Sequence, residues 1–163
     1  MLNSWQDQYD DAVSLSQDLR LIEVATAGEG FTNLTMRLNS EIGLTGFGQG
    51  VATLVCLHTS CSLTINENAD PRVLHDLSAY LHALVPYQGY RSLSGDGERR
   101  RYRHDDEGPD DMPAHIRTAL TATSLQLSVQ NGRLLLGTWQ AVYLWEHRAS
   151  GSRRQLSLHL IGE

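Results

Sequence analysis

Leu125-Gln126-Leu127-Ser128-Val129-Gln130-Asn131-Gly132-Arg133 alternates apolar and polar residues and then breaks on Asn-Gly. That dipeptide suits a two-residue hairpin turn, whose central positions take positive φ, and alternation with a period of two marks a strand with one buried face. A strand ending in such a turn returns antiparallel, so the stretch predicts an antiparallel meander for the last third of the chain. Residues 133–140 and 141–147 read as the return strand and its continuation. Gly137-Thr138-Trp139-Gln140 reads as a bulge where backbone meets a ligand. After Ser150-Gly151-Ser152, the alternating Leu156, Leu158 and Leu160 read as a final edge strand.

Working outward from the meander, Asp70-Pro71 opens a helix with an N-cap acceptor and proline in the first turn. Val73, Leu74, Leu77, Leu81 and Leu84 form its apolar stripe, and Pro86 stops it. Asp111 or its neighbour starts another helix, with Pro113 in its first turn and Ile116, Ala119 and Leu120 expected to face inward. The apolar run from Val51 to Leu57 predicts a strand buried on both faces. Leu63 and Ile65, alternating with Thr64 and Asn66, predict the next one. Phe31, Leu34, Leu38 and Ile42 recur at helical spacing and end near Gly43. From Ser14 to Ala25 a first strand is expected, with Leu19, Leu21 and Val24 inward and Arg20 and Glu23 in water. The order is α+β: a mostly antiparallel sheet with two main helices.

Residues 1–13 lack any period and are expected to be a flexible N-terminal extension of one domain spanning 14–163. Residues 88–101, rich in Gly, Ser and Arg, read as a mobile insertion whose arginines fold over a site. The chain has 163 residues and a net charge of -6, so no nucleic-acid partner is expected, because a polyphosphate backbone demands a basic face. All thirteen basic residues are arginine, which excludes Schiff-base chemistry and a phosphate-loop lysine. The two cysteines, Cys56 and Cys61, are too few for a disulfide framework. No apolar run reaches membrane-spanning length and the N-terminus lacks a basic start, so a cytoplasmic location without a membrane partner is expected.

Chemistry concentrates in residues 102–116. His104, His115 and the carboxylates of Asp105, Asp106, Glu107, Asp110 and Asp111 share a segment that Gly108, Pro109 and Pro113 keep from continuous helix. Crowded carboxylates need water, arginines or a cation, and the cluster Arg99 to Arg103 offers internal counter-charge. A solvated acidic loop is the plain alternative. His115 falls in the first turn of its helix, where free N–H groups favour an anionic ligand. His58-Thr59-Ser60-Cys61-Ser62, at the exit of a buried strand, presents an imidazole and several donors to an anion, or else forms a capped turn. His75 and His82 read as solvated or packing residues.

Four segments in order resemble the YjbQ family, often labelled secondary thiamine-phosphate synthases. They are His58 through Pro71, His104 through His115, Gly132-Arg133 through Gly137-Thr138-Trp139-Gln140, and Glu146-His147-Arg148 followed by Gly151-Ser152-Arg153-Arg154. The similarity runs from about Leu19 to Glu163. Two departures stand out: Cys61 where the family commonly has alanine, and a longer link at 90–101. The resemblance implies a compact fold assembling as a homotrimer with sites between subunits. It also implies that His58, His104 and His115 converge on a divalent metal or an anion, with Glu67 and Asp111 nearby.

Three histidines suit zinc, nickel or iron and leave a coordination position open; direct donation to phosphate or sulfate is the alternative. The family label implies joining a hydroxymethylpyrimidine pyrophosphate to a thiazole phosphate. In that reaction His58, Glu67, Asp111 and His115 are the expected catalytic residues, and Thr59, Ser60, Ser62, Asn66, Thr138 and Gln140 the expected substrate contacts. Magnesium would accompany the pyrophosphate on carboxylates such as Glu67, Asp110 and Asp111. A metal-dependent hydrolase of a small phosphorylated or anionic metabolite is one alternative. A non-catalytic trimeric metabolite- or metal-binding protein is the other.

Overall fold

The computed structural model describes residues 14–92 and 95–163; the expected extension 1–13 and two residues of the expected insertion, Leu93 and Ser94, lie outside the described residues. The first strand, β1 (Ser16–Ala25), pairs antiparallel with the last, β10 (Arg153–Gly162), which pairs with β3 (Gln49–Cys56), then β7 (Ser124–Gln130), then β8 (Arg133–Leu134). A second antiparallel sheet holds β9 (Gln140–Glu146) between β2 (Gly30–Asn33) and β4 (Cys61–Glu67). One apolar cluster draws Leu54, Leu127, Leu156 and Leu158 from the first sheet, Leu63, Val142 and Leu144 from the second, and Leu38 and Ile42 from helix α1 (Thr35–Gly43). The inner faces of both sheets and one helix therefore share a core, an α+β arrangement with three helices among the described residues.

The hairpin at Asn131-Gly132 forms as read: both residues take positive φ, and Gln130 pairs with Arg133. The return strand is cut to two residues, however, and residues 140–146 cross into the other sheet, where β9 becomes the central strand. The segment at Gly137 is a turn closed by a hydrogen bond from the Gly137 N–H to Gln140 Oε1. Strand β10 is central as well, not an edge, because both of its sides carry partners.

Three inward assignments need correction. In β1 it is Ile22 that is buried, while Leu19 (67% exposed) and Leu21 (63%) point outward, since only one parity of a strand faces the core. In β3, Ala52, Leu54 and Cys56 are buried but Val51 is exposed, so the strand has one buried face. Phe31 belongs to β2, stacked on Trp145, and the helix begins only at Thr35.

Helix α2 (Pro71–Leu84) starts as expected, with the Arg72 N–H donating to Asp70 Oδ1. Of its stripe only Leu81 is buried within the chain. Helix α3 (Asp111–Leu120) turns a different face inward: Asp111, Pro113, Ala114, Arg117 and Thr118 are buried, whereas Ala119 and Leu120 are exposed. The expected mobile insertion contains a short hairpin, β5 (Tyr90–Arg91) with β6 (Arg99–Arg100).

Candidate functional site

Gly108, at φ 117°, bends the acidic loop into α3. Asp111 and His115 stand one turn apart on that helix, so their side chains share a face. His104, at the other limb of the loop, brings Nε2 to 2.9 Å from Asp111 Oδ2, and His115 Nε2 lies 3.5 Å from Asp111 Oδ1. The ligand-type atoms of the three residues lie within 4.8 Å of one another.

The protonation pattern follows from the hydrogen bonds. His115 Nδ1 lies 2.9 Å from the Thr59 carbonyl oxygen, which can only accept, so Nδ1 carries a proton, and when the ring is neutral its Nε2 lone pair faces Asp111. Asp111 is 2% exposed, and its Oδ2, although close to His104 Nε2, has no aligned hydrogen-bond partner. An orphaned buried carboxylate oxygen and an imidazole lone pair facing the same carboxylate form a set of electron-pair donors that repel unless a cation or a proton sits among them. These residues thus fit a divalent metal.

Arg148, just past β9, supplies the counter-charge that the sequence located in Arg99 to Arg103. It donates to Asp111 Oδ1 at 2.6 Å, to Asp110 Oδ2 at 2.9 Å and to the Glu107 carbonyl. Burial alone would raise the Asp110 carboxyl, but the Ala149 N–H and the Arg148 guanidinium hold it below its ordinary value. Arg148 pins both carboxylates and leaves the Asp111 face toward the histidines free.

His58 stands apart from this triad. Its Nε2 accepts the Gln155 N–H at 2.7 Å, which leaves the neutral ring no second lone pair for a metal. Burial and the nearby Arg154 push its pKa down and so favour that neutral ring. It shares a hollow with Thr59, Cys56 and His115, whereas the cavity beside His104 is lined by neither His58 nor His115. Ser62 is buried in a hydrogen bond with His147, and the carbonyl of the buried Ser60 accepts the His147 N–H.

Glu67, Asn66, Thr138 and Gln140 gather elsewhere. Glu67 Oε1 accepts the Ala69 and Asp70 N–H groups, Asn66 Oδ1 accepts the Glu67 N–H, and Gln140 pairs with Glu67 across the ladder. His115 is anchored at Thr59, before the start of β4, and Glu67 ends that strand. At about 3.3 Å per residue the two groups are about 20 Å or more apart within one chain.

Sequence reading missed a buried ionic layer behind the triad. Glu146 accepts two hydrogen bonds from Arg154 and one from Thr26; burial would raise its carboxyl, yet these donors and the Arg148 N–H hold it low. His147 is 0% exposed, and burial, with Arg117 adding, pulls it down to about 3. Arg117, also 0% exposed, donates to Glu29 and to the Val85 carbonyl, under the Tyr87 ring. One signal was present: Glu146-His147-Arg148 directly continues an apolar strand, where charges persist only if partnered.

A cavity of about 720 Å³ opens beside His104, lined by Tyr87, Gln88, Arg99, Arg101, Tyr102, Asp105 and Pro109. No described helix is long and apolar enough to cross a membrane.

Residues 20–163 match the family model described as UPF0047 protein YjbQ-like. The UPF0047 protein sll1880 of Synechocystis is 44% identical over 152 residues, covering 93% of this chain and 97% of that one. The UPF0047 protein YjbQ of Salmonella typhimurium is 39% identical, covering 88% and 97%. A crystal structure from Clostridium acetobutylicum, an uncharacterized conserved protein of the YjbQ/UPF0047 family, superposes with a TM-score of 0.70 at 31% identity, covering 84% and 97%. With nearly the whole folded chain matched in sequence and in backbone course, this protein belongs to the YjbQ-like UPF0047 family.

Proposed function

We propose that this chain is a divalent-metal-dependent enzyme acting on a small phosphorylated metabolite, with the ion held by His104, Asp111 and His115. The observation that carries the reading is the buried Asp111 carboxylate, one oxygen unpartnered, facing two imidazoles. Imidazole and carboxylate together suit zinc, nickel or iron, and magnesium would accompany a pyrophosphate substrate. Such an ion supplies Lewis-acid stabilisation of charge developing on a phosphate oxygen.

The protein's own groups do the rest. The Thr59 carbonyl fixes the His115 ring, Arg148 fixes Asp111, and both leave the ligand atoms pointed at one spot. Tyr87 and Tyr102 wall the cavity beside His104.

The specific transfer that the family resemblance implies joins hydroxymethylpyrimidine pyrophosphate to thiazole phosphate and releases pyrophosphate. Incubating the pure protein with both compounds and magnesium tests it. Thiamine phosphate should form well above the level of an Asp111→Asn control; its absence refutes the transfer. Hydrolysis of a single phosphorylated metabolite is the second reading. It is favoured by Asp105, an exposed cavity carboxylate with no ion pair among the described residues, placed to take a proton from an attacking water. Phosphate release from one substrate alone would select it, and ligand retention without turnover would select a binding protein.

Assembly as a homotrimer belongs to the same proposal. Leu19, Leu21, Val51 and Ile161 are exposed together on the outer face of β1, β10 and β3, an apolar surface suited to a second copy. A neighbouring copy could also bring the Glu67 and Gln140 end of one chain to the triad of another.

A further inference from the structure

Arg99 and Arg101 line the cavity beside His104, and neither has an ion-pair partner among the described residues. Three neighbouring arginines are already paired: Arg100 with Asp96, Arg117 with Glu29, and Arg148 with the acidic loop. The protein is acidic overall, yet this wall presents two free guanidinium groups together with the tyrosines and Gln88.

Their placement is built into the backbone. Gly89, at φ 104°, lies so close to Arg100 that a Cβ there would meet the Arg100 carbonyl oxygen, so the neck of the β5–β6 hairpin closes tightly against the segment carrying both arginines. Tyr90 of the hairpin packs on Tyr102, 5.7 Å between ring centroids, and ties the other side.

We propose that Arg99 and Arg101 form a phosphate-binding subsite, separate from the metal triad, that selects substrates carrying a phosphate or diphosphate group with a ring-bearing body held between Tyr87 and Tyr102. A guanidinium offers paired N–H donors that match two phosphate oxygens, and two of them on one wall accommodate a dianion or a diphosphate. His104, on the same cavity, marks the direction of the metal, so a substrate anchored at the arginines reaches the triad with its reactive end. The inference rests on the proposed function for the direction of the chemistry, but the anion subsite itself does not need the metal.

Calorimetric titration with inorganic pyrophosphate, on the full chain stripped of metal with a chelator, tests it. Binding is expected in metal-free protein, and the double variant Arg99→Gln/Arg101→Gln should weaken it about tenfold or more. Arg99→Lys/Arg101→Lys should recover only part, because charge returns without the paired geometry. Zinc uptake, measured on the same variants by elemental analysis, should be unchanged. Pyrophosphate affinity that vanishes with the metal, or that the glutamine double variant leaves intact, overturns the subsite. Failure of the native protein to take up zinc, with arginine-dependent pyrophosphate binding preserved, would count against the metal reading and leave the subsite standing.

Discussion

Asp111 answers to Arg148 on one oxygen and to two imidazoles on its remaining face, and it does so almost without solvent. Replacing it with asparagine removes the negative charge while keeping the shape. Zinc affinity, followed by competition with a chromophoric chelator, should fall by about a hundredfold or more. Thermal stability should drop by about 1–3 kcal/mol, because Arg148 loses its charged acceptor. The neighbouring layer has a pH signature. His147 titrates at about 3 in the folded protein, against about 6.5 in an unfolded chain. Between those values the unfolded state binds the extra proton, so stability falls as the pH drops, by about 1.4 kcal/mol per pH unit below pH 6. Urea unfolding at pH 7, 6 and 5 should show this loss, and His147→Gln should remove that part of the slope. Equal slopes for both proteins would refute it. At this scale the sequence was partly legible: His104 and His115 were expected as ligands with Asp111 nearby, in a segment crowded with polar ligand types, whereas the third expected ligand, His58, is engaged by the Gln155 N–H instead. Arg117 did not, since one arginine in a short helix reads as solvated until its partners Glu29 and Val85, distant in sequence, are seen.

Among the elements, local pattern reported type well and neighbours poorly. The α2 start and the Asn131-Gly132 turn were readable because cap and turn chemistry are local. The central places of β9 and β10 were not, since alternation looks the same in an edge strand and a middle one, and partners such as β1 lie over a hundred residues away. Phe31 joined a helical spacing by coincidence: its ring packs on Trp145 across a ladder, a contact no local period encodes. The β5–β6 hairpin supplies this scale's prediction. Gly89→Ala puts a methyl against the Arg100 carbonyl at a φ that favours glycine, so the hairpin neck must open. Amide hydrogen exchange should rise in residues 88–101 while β9 and β10 stay protected, and unchanged exchange in the hairpin would show that the neck does not depend on this residue.

For the whole molecule, the two sheets bury their inner faces in one core, but the outer face of β1, β10 and β3 keeps leucine, valine and isoleucine in water. The exposed stripe on β1 also explains why parity there was misread: an apolar residue on the outer face looks, in sequence, like one facing the core. Sedimentation equilibrium should find about three times the monomer mass, and Leu21→Asp should shift the population to monomer with the fold intact by circular dichroism. A monomeric native protein would remove the trimer from the account. The more central claim is that His104, Asp111 and His115 hold one divalent ion. Crystals grown with zinc and measured on both sides of its absorption edge test it most directly. The account predicts one anomalous peak per chain within bonding distance of His104 Nε2, His115 Nε2 and an Asp111 oxygen. A triad without a peak in zinc-saturated crystals, or a peak held instead at His58, would contradict it.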